Sequence, residues 1–401
     1  MNIQRLVEQV PLDDTTPWWL AIDVADVLSR VDALCGAFGD GVLHTVAIKA
    51  CPILPVVLCV VGRGAGVEAA SMGEVDVALA AGCRPEDVVF DSPVKTVAEL
   101  RRALELGVAV NADNLEEVAR IDALRGQSSS RVGLRVNPEV GAGTIAATSV
   151  AVRNGKFGVS LERRREAIEE AFARRPWLDG VHVHVGSQGM GLDLLVEGVA
   201  RAAGLAEEVG AVWLDIGGGL PVAYREGDRV ITPGAYVEAL TERVPGLFDR
   251  FRIVTEFGRW VFTASGIAVS RVEYVKPAAD IDVVAIHFGA NLLLRELLGD
   301  DPWYREITVH APDGTRRTAD PRGYLLGGPL CFSGDVLACD VSLPRVHVGD
   351  LVCVHDVGAY TFSMWSRFCS RPFPPVLVTE GDQIVDVVDG QTPDDVVKQW
   401  S

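Results

Sequence analysis

The sequence predicts an α/β protein in which a (β/α)8 barrel is followed by a smaller all-β domain. Eight short β-rich runs alternate with helical patterns over the first two-thirds of the chain, and this alternation stops near Ser265. The length of 401 residues exceeds the usual size of one hydrophobic core, which also favours two domains. The eight predicted strands span residues 43–48, 67–69, 88–91, 108–111, 133–136, 181–185, 212–216 and 253–256.

Helical patterns separate these strands and would form the outer ring of the barrel. The clearest span residues 73–81, 97–106 and 162–174, and the last is heavily charged with Ile168 and Phe172 at four-residue spacing. Beyond Ser265 the chain consists of β-branched runs at 283–286, 336–341, 351–355 and 376–378, with no long helical pattern. We therefore predict an N-terminal segment at 1–25 that packs with the C-terminal domain, a barrel at 26–265 and a β domain at 266–401.

Composition indicates an ordinary globular enzyme. The chain is 48% hydrophobic and 23% charged, and its net charge of -18 disfavours binding to nucleic acid or anionic membranes. Its longest apolar run is too short to span a bilayer and its N-terminus lacks the apolar core of a signal peptide, so we expect a cytoplasmic protein. The eight cysteines include no Cys-x-x-Cys pair, and we expect free thiols.

Lys49 ends the apolar strand Val-Ala-Ile at the predicted barrel mouth. A charged lysine is expensive to bury, so its position favours an active-site amine over a packed side chain. Such an amine can form a Schiff base with an aldehyde cofactor. The alternative is a lysine that extends from the barrel rim into solvent.

His182 and His184 alternate along one predicted strand, a spacing that metal sites also use. We disfavour a metal because zinc needs three or four ligands and no further cluster of ligands lies nearby in sequence. A histidine at a strand end could instead stack on a flat cofactor ring, with Ser187 beyond it free to bind phosphate. A satisfied core histidine remains the alternative for His182.

Three glycines and a Glu-Phe-Gly-Arg motif follow the last two predicted strands. Gly217, Gly218 and Gly219 would let backbone N–H groups approach a phosphate. Glu256 could hold a pyridine nitrogen protonated, and Arg259 could pair with phosphate or a carboxylate. Together with Lys49, these residues indicate pyridoxal phosphate (PLP).

Motifs over almost the whole chain resemble fold-type III PLP-dependent decarboxylases, the diaminopimelate and ornithine decarboxylase family. The resemblance includes Gly-Val-Glu-Ala-Ala-Ser-Met-Gly-Glu at 66–74, Leu-Arg-Val-Asn-Pro at 134–138, Lys-Phe-Gly at 156–158, Gly-Pro-Leu-Cys-Phe-Ser-Gly-Asp at 328–335 and Gly-Ala-Tyr at 358–360. It implies an alanine racemase-like barrel followed by an all-β barrel domain, PLP as cofactor, and a homodimer with shared active sites.

The resemblance also implies a role for individual residues. Lys49 would be the Schiff-base lysine, His184 would stack on the ring, Glu256 would hold the pyridine nitrogen, and Cys331 would act across the dimer interface to protonate the product carbon. The implied cofactor-binding residues are Lys49, Glu68, Arg135, His184, Ser187, Gly218, Gly219, Glu256, Gly258, Arg259 and Tyr360. The implied substrate-binding residues are Arg295, Phe332 and Tyr360.

Departures from the family pattern bear on the substrate. Phe332 stands where the family usually places an acid that meets a distal ammonium, and an apolar ring replaces that ion pair with at most a cation–π contact. Arg295 aligns with an arginine that binds a distal carboxylate. We therefore expect a substrate with a distal carboxylate or acylated end and no free ammonium, as in siderophore or other specialised biosynthesis. Cys51, Phe257 and Glu68 are smaller departures that remove no essential group.

Three alternatives remain open from the sequence. The first is a diaminopimelate decarboxylase of lysine biosynthesis. The second is an amino-acid racemase, which shares the barrel and lysine but typically places an arginine at the pyridine nitrogen, unlike Glu256. The third is a non-catalytic homologue, which the retention of Lys49, His184, Glu256 and Cys331 disfavours.

Overall fold

Two compact units make up the protein. The computed structural model describes residues 1–225, 227–228, 230–294 and 305–401. One unit comprises Leu28–Ala223 and Arg229–Val261, and the other comprises Met1–Val27, Tyr224–Asp228 and Phe262–Ser401. Strands and helices are numbered along the chain.

The first unit is built on a closed parallel barrel. Its eight strands are β2 (Leu43–Ala47), β3 (Gly66–Ala69), β4 (Val88–Asp91), β5 (Ala109–Ala112), β6 (Val132–Asn137), β8 (Leu178–Val183), β9 (Trp213–Asp215) and β10 (Arg252–Thr255). Each strand pairs in parallel with its neighbours, and the pairing of β10 with β2 closes the ring. A two-residue strand, β7 (Val159–Ser160), pairs with β6 outside the ring. The predicted (β/α)8 barrel is therefore confirmed.

Helices connect the barrel strands, and one more helix precedes the first strand and another follows the last. They are α2 (Val24–Phe38), α3 (Leu54–Gly62), α4 (Met72–Ala80), α5 (Val97–Leu106), α6 (Leu115–Leu124), α7 (Arg165–Arg174), α8 (Leu192–Glu208), α9 (Pro233–Arg243), α10 (Leu247–Arg250) and α11 (Arg259–Phe262). Helix α5 shows how the sequence sets their ends: Thr96 and Glu99 form a capping box, and Gly107 ends the helix with φ +81°. Leu100, at 0% exposure, faces the barrel.

An apolar cluster fills the end of the barrel at which the strands begin. Trp213, the first residue of β9, packs with Val89, Ala109 and Val254. A Cβ at position 180 would lie 2.0 Å from the Trp213 ring, so only glycine leaves room for this indole. The large side chain closes this end of the barrel, which leaves the opposite end for polar residues.

The second unit consists of β-sheets with a short helix near each terminus. Its strands are β1 (Trp18–Asp23), β11 (Gly266–Arg271), β12 (Tyr274–Lys276), β13 (Asp282–Ala285), β14 (Ile307–His310), β15 (Arg322–Gly327), β16 (Val336–Leu343), β17 (Leu351–Val354), β18 (Val376–Glu380) and β19 (Gln383–Val388), and its helices are α1 (Ile3–Gln9) and α12 (Pro393–Gln399). One sheet has the order β14-β17-β11-β1-β18-β19 and the other has the order β12-β13-β15-β16. A separate β domain was predicted and is confirmed.

The N-terminal strand β1 lies inside the larger sheet, between β11 and β18. Trp19 is fully buried there and packs with Leu6 of α1 and Leu377 of β18. Among the described residues, no helix is long and apolar enough to cross a membrane.

Candidate active site

Polar side chains collect at the carboxyl ends of the barrel strands. In strand order they are Lys49, Glu68, Asp91, Asn111, Arg135, His182, Asp215 and Glu256. Lys49 and Glu256 lie just beyond the ends of β2 and β10, and the others lie within their strands. All eight strands are parallel, so these residues share one mouth of the barrel, where active sites of this architecture lie.

Lys49 and Glu68 form a two-point contact. The Lys49 Nζ lies 2.7 Å from each carboxylate oxygen of Glu68. Glu68 is fully buried, whereas 34% of the Lys49 side chain is exposed. Burial raises the pKa of Glu68 to about 8, against the opposing pull of the Lys49 ammonium. The amine is thus oriented by a buried acid while its outer side stays accessible.

Asp91 and Arg135 form a second buried ion pair. The Arg135 Nη1 lies 2.9 Å from the Asp91 Oδ2, and the guanidinium stacks 4.5 Å from the centre of the Phe157 ring. Burial alone would raise the pKa of Asp91, but Arg135 and the neighbouring His182 and Lys49 hold it well below its usual range. Asp91 therefore contributes a fixed negative charge to the barrel mouth.

His182 lies between the two acids Asp91 and Glu256. Its Nδ1 is 3.7 Å from the Asp91 Oδ1 and its Nε2 is 3.4 Å from the Glu256 Oε2. One ligand atom from each of these three residues lies within 4.8 Å of the other two. A histidine and two carboxylates form a ligand set that would also suit a metal ion. The sequence argument against a metal missed this cluster because its acids come from distant strands. Arg135 already supplies a positive charge beside Asp91, so we interpret the cluster as part of an organic cofactor pocket.

Glu256 has the properties of a partner for a ring nitrogen. It is 3% exposed, and no amide, hydroxyl or guanidinium group among the described residues donates to either of its carboxylate oxygens. Burial and the charge of Asp91 raise its pKa to about 7. A buried acceptor of this kind fits a protonated pyridine N–H, so the residues present suit PLP.

His184 lies just beyond β8, in contact with the glycine turn. Its Nδ1 accepts a hydrogen bond from the Gly218 N–H at 3.2 Å. Burial, with the charges of Arg135 and Lys49, lowers the pKa of His184 well below its usual value. The imidazole is therefore neutral at physiological pH, and it is partly exposed, as a ring-stacking residue requires.

The glycine turn at 217–219 is fixed by close backbone contacts. Gly217 has φ +66°, a conformation that favours glycine. A Cβ at position 218 would lie 2.3 Å from the Glu256 carbonyl oxygen, and the Glu256 N–H donates to the Gly217 carbonyl at 2.8 Å. Any side chain at 218 would separate β9 from β10. The turn thus holds the glycines predicted to bind phosphate against the backbone of Glu256.

Arg259 and Ser187 lie together beside this turn. The Arg259 Nε donates to the Ser187 hydroxyl at 3.2 Å, and Arg259 is only 4% exposed. Gly258 lies against the end of β2, where an added Cβ would be 2.8 Å from the Ala47 carbonyl oxygen. A buried guanidinium and a hydroxyl in contact form a suitable anion site.

The remaining predicted residues belong to the β-sheet unit. Cys331 and Phe332 are exposed, and the Phe332 ring packs edge-to-face on Phe368 with centroids 5.9 Å apart. A hydrogen bond with Cys369 raises the pKa of the Cys331 thiol. Tyr360 has φ +56°, which is uncommon for a non-glycine residue. Arg295 lies outside the described residues.

The sequence analysis missed three buried polar residues of the mouth, Asp91, Asn111 and Asp215. Asp91 and Asp215 are each the last residue of a strand, and each follows an apolar run. An acid at that place in a parallel barrel indicates a site rather than packing. This position was the available signal for both, whereas nothing in the sequence marks Asn111.

Comparison with known proteins identifies the family. The family model "Pyridoxal-dependent decarboxylase, pyridoxal binding domain" matches residues 24–263. The diaminopimelate decarboxylase of Pseudomonas aeruginosa is 34% identical over 377 residues, covering 90% of this chain and 88% of that protein. The diaminopimelate decarboxylase of Streptomyces coelicolor is 33% identical over 389 residues, covering 91% and 85%.

Solved structures agree with the sequence relatives. The crystal structure of diaminopimelate decarboxylase from Helicobacter pylori complexed with L-lysine superposes with a TM-score of 0.85 at 26% identity and covers 96% of each chain. The family model alone covers more than half of this sequence. The chain therefore belongs to the pyridoxal-dependent decarboxylases and is a PLP-dependent enzyme that removes the carboxylate of an amino acid.

Proposed function

We propose that the enzyme decarboxylates diaminopimelate and so produces lysine. The observation that carries this proposal is the match to enzymes named diaminopimelate decarboxylase at 31–34% identity, which spans 90% of the chain in the first of them. The geometry of the barrel mouth suits the cofactor that this reaction needs, because amine, ring-nitrogen and anion-binding groups lie at the ends of the strands. The sequence analysis favoured a substrate without a distal ammonium and kept diaminopimelate as an alternative. The relatives support diaminopimelate better.

Lys49, Glu68 and Glu256 would do the chemistry at the cofactor end of the site. The Lys49 amine would bind the cofactor aldehyde, and Glu68 at 2.7 Å would orient that amine. When bound, PLP supplies the electron-withdrawing ring that accepts the electron pair left by the departing carboxylate. Glu256 would keep the ring nitrogen protonated, and His184 would cover one face of the ring.

The phosphate would be held beside the glycine turn. The Arg259 guanidinium and the Ser187 hydroxyl provide charge and a donor, and the backbone of Gly218 and Gly219 provides room for the anion. These groups would orient the cofactor and leave the substrate side of the pocket open.

We further propose a homodimer in which Cys331 of one subunit completes the active site of the other. The raised pKa of the Cys331 thiol supports a protonated group, which is what a proton donor to the product carbon must be. Solution mass at working concentration tests the assembly. Full activity in a monomer would contradict the shared role of Cys331.

A second candidate substrate rests on Phe332. This ring is 43% exposed and pairs with the exposed ring of Phe368, so the segment after Cys331 presents an apolar surface. The nearest acid of its own loop, Asp335, is buried and accepts hydrogen bonds from the Leu330 and Ala290 N–H groups. An amino acid with a distal carboxylate or acylated end would suit this surface. If diaminopimelate binds here, a cation–π contact of about 1 kcal/mol between its distal ammonium and the Phe332 ring would replace the ion pair that the family's usual acid makes at this position.

The test measures carbon dioxide release from diaminopimelate, lysine, ornithine, glutamate and N-acylated diaminopropionates with added PLP. We expect release from diaminopimelate with lysine as the product. Phe332→Glu should lower the KM for diaminopimelate by up to about fivefold, while the apolar control Phe332→Leu should not. Release from acylated or acid-tailed substrates alone would refute the diaminopimelate proposal and favour the second candidate.

A further inference from the structure

The side chain of Gln188 joins two loops at the barrel mouth. Its Nε2 donates to the Val222 carbonyl at 2.6 Å, and its Oε1 accepts from the Val222 N–H at 3.0 Å. We call these two hydrogen bonds the Gln188 bridge. Gln188 directly follows Ser187, and Val222 lies three residues beyond Gly219 of the glycine turn. One side chain therefore connects the two segments that carry the proposed phosphate-binding groups.

Ser187 lies between the Gln188 bridge and a second close contact of the same two loops. A Cβ on Gly219 would lie 2.4 Å from the Gly186 carbonyl oxygen, so the two backbones touch there. The Gly219 N–H donates to no backbone carbonyl in the described part of the chain, and it is a donor of the kind that holds phosphate. The distance between the Ser187 hydroxyl and this N–H is thus set by a backbone contact on one side of Ser187 and by Gln188 on the other.

Thr148 holds the loop of Ser187 independently of the Gln188 side chain. The Ser187 N–H donates to the Thr148 carbonyl at 3.0 Å, and the Thr148 hydroxyl donates to the Gln188 carbonyl at 2.5 Å. These bonds use only backbone atoms of Ser187 and Gln188, so they can form with any side chain at position 188. The Gln188 side chain alone supplies the link to the segment of Val222.

We propose that Gln188 is a positioning residue for the cofactor phosphate. Its amide holds the loop of Ser187 at a fixed distance from the glycine turn, so that the Ser187 hydroxyl and the Gly219 N–H bind one phosphate together. The inference rests on the proposed phosphate site beside the glycine turn. An amide suits this role because it offers both a donor and an acceptor to the Val222 backbone. PLP affinity then depends on Gln188, whereas the affinity for pyridoxal, which lacks the phosphate, does not.

Gln188→Met and Thr144→Val form the test variant and its control. Methionine retains the length of the side chain but has no donor and only a weak acceptor, so it removes the Gln188 bridge. Thr144→Val removes a hydrogen bond of 3.2 Å to the Gly189 carbonyl, which lies on the same loop as Ser187 but does not connect it to the glycine turn. Gln188→Ala replaces Gln188→Met, with the same expectation, if the methionine variant does not fold.

The readout is the ratio of the dissociation constants of pyridoxal and PLP, measured by titration of the cofactor-free protein. This ratio reports the contribution of the phosphate, because the two compounds differ only in that group. We expect Gln188→Met to bind PLP about tenfold more weakly, as for a weakened hydrogen bond to a charged group, and pyridoxal within about twofold of the wild type. Thr144→Val should match the wild type with both compounds. Equal weakening for both compounds, or unchanged PLP affinity in Gln188→Met, would overturn the proposal.

Ser187→Ala separates this inference from the proposed phosphate site. It should lower the ratio, and the double variant with Gln188→Met should lower it by less than the product of the two single effects, because Gln188 acts through Ser187. A ratio unchanged by Ser187→Ala would refute the phosphate site and the inference with it. A ratio lowered by Ser187→Ala but not by Gln188→Met, or a double variant equal to the product, would refute only the role of Gln188. Turnover of diaminopimelate is not measured, so failure of the substrate proposal is separately visible.

Discussion

Replacing Lys49 with methionine should abolish covalent attachment of PLP while costing little stability at neutral pH. The methionine retains the length of the side chain but removes the ammonium that lies 2.7 Å from both Glu68 oxygens. Breaking a buried ion pair usually costs about 3–5 kcal/mol, because the remaining charge has no partner. Here Glu68 can avoid that cost by taking up a proton.

The size of the effect follows from the pKa of Glu68. Burial raises it from an ordinary value of 4.5 to about 8, so native Glu68 is largely protonated at pH 7 and the variant loses about one hydrogen bond, roughly 1 kcal/mol. Between about pH 4.5 and about pH 8 the free energy of unfolding falls equally in the wild type and the variant, because Glu68 is ionised in the unfolded chain but still protonated in the native protein. Above about pH 8 the wild type ionises as an ion pair and levels off, while the variant continues to lose about 1.4 kcal/mol per pH unit.

The assay is urea unfolding of the cofactor-free proteins at about pH 6.5 and about pH 9.5. Lys49→Arg is the matched control, because its guanidinium preserves the ion pair but forms no stable Schiff base. Borohydride treatment followed by mass measurement then reports covalent PLP, which we expect in the wild type alone. A stability loss for Lys49→Met that is large at low pH, or that does not grow with pH, would refute the protonation of Glu68.

The remaining predictions concern the glycine turn and the thiol. Gly218→Ala places a methyl group 2.3 Å from the Glu256 carbonyl and should destabilise the protein by about 1–3 kcal/mol and weaken PLP binding; the control Gly234→Ala, with open space around its Cβ, should do neither. Thermal unfolding and PLP titration check this pair, and wild-type behaviour of Gly218→Ala would contradict the close approach. Cys331→Ser should lower kcat by about a hundredfold without changing PLP affinity, whereas Cys369→Ser should leave kcat within about threefold. Steady-state kinetics decide, and a similar loss in both variants would argue against a specific role for Cys331.

Much of the fold could be predicted from the sequence because parallel barrel strands are buried apolar runs with clear limits. Each of the eight predicted strands overlaps an observed one, and 88–91 was predicted to the residue. Strand β1 was not predicted as a strand because Trp18–Asp23 pairs with partners near residues 270 and 378, and such long-range pairing leaves no local pattern.

The individual polar residues were easier to predict than their arrangement. Lys49 and Glu256 are visible in sequence as polar residues that end apolar strands. Their partners Asp91 and Asp215 become meaningful only when the barrel closes and brings β4 and β9 towards β10. Register across several strands, rather than spacing along one strand, sets the pKa values of these acids.

Incubation of the enzyme with diaminopimelate and PLP in deuterium oxide tests the central claim most directly. Carbon dioxide and lysine are quantified together, and NMR locates the deuterium. Decarboxylation of diaminopimelate predicts equal amounts of the two products, with one deuterium on the lysine carbon that lost its carboxylate. Diaminopimelate that exchanges its α-hydrogen without releasing carbon dioxide would indicate racemase chemistry, and diaminopimelate that remains unchanged would contradict the proposed substrate.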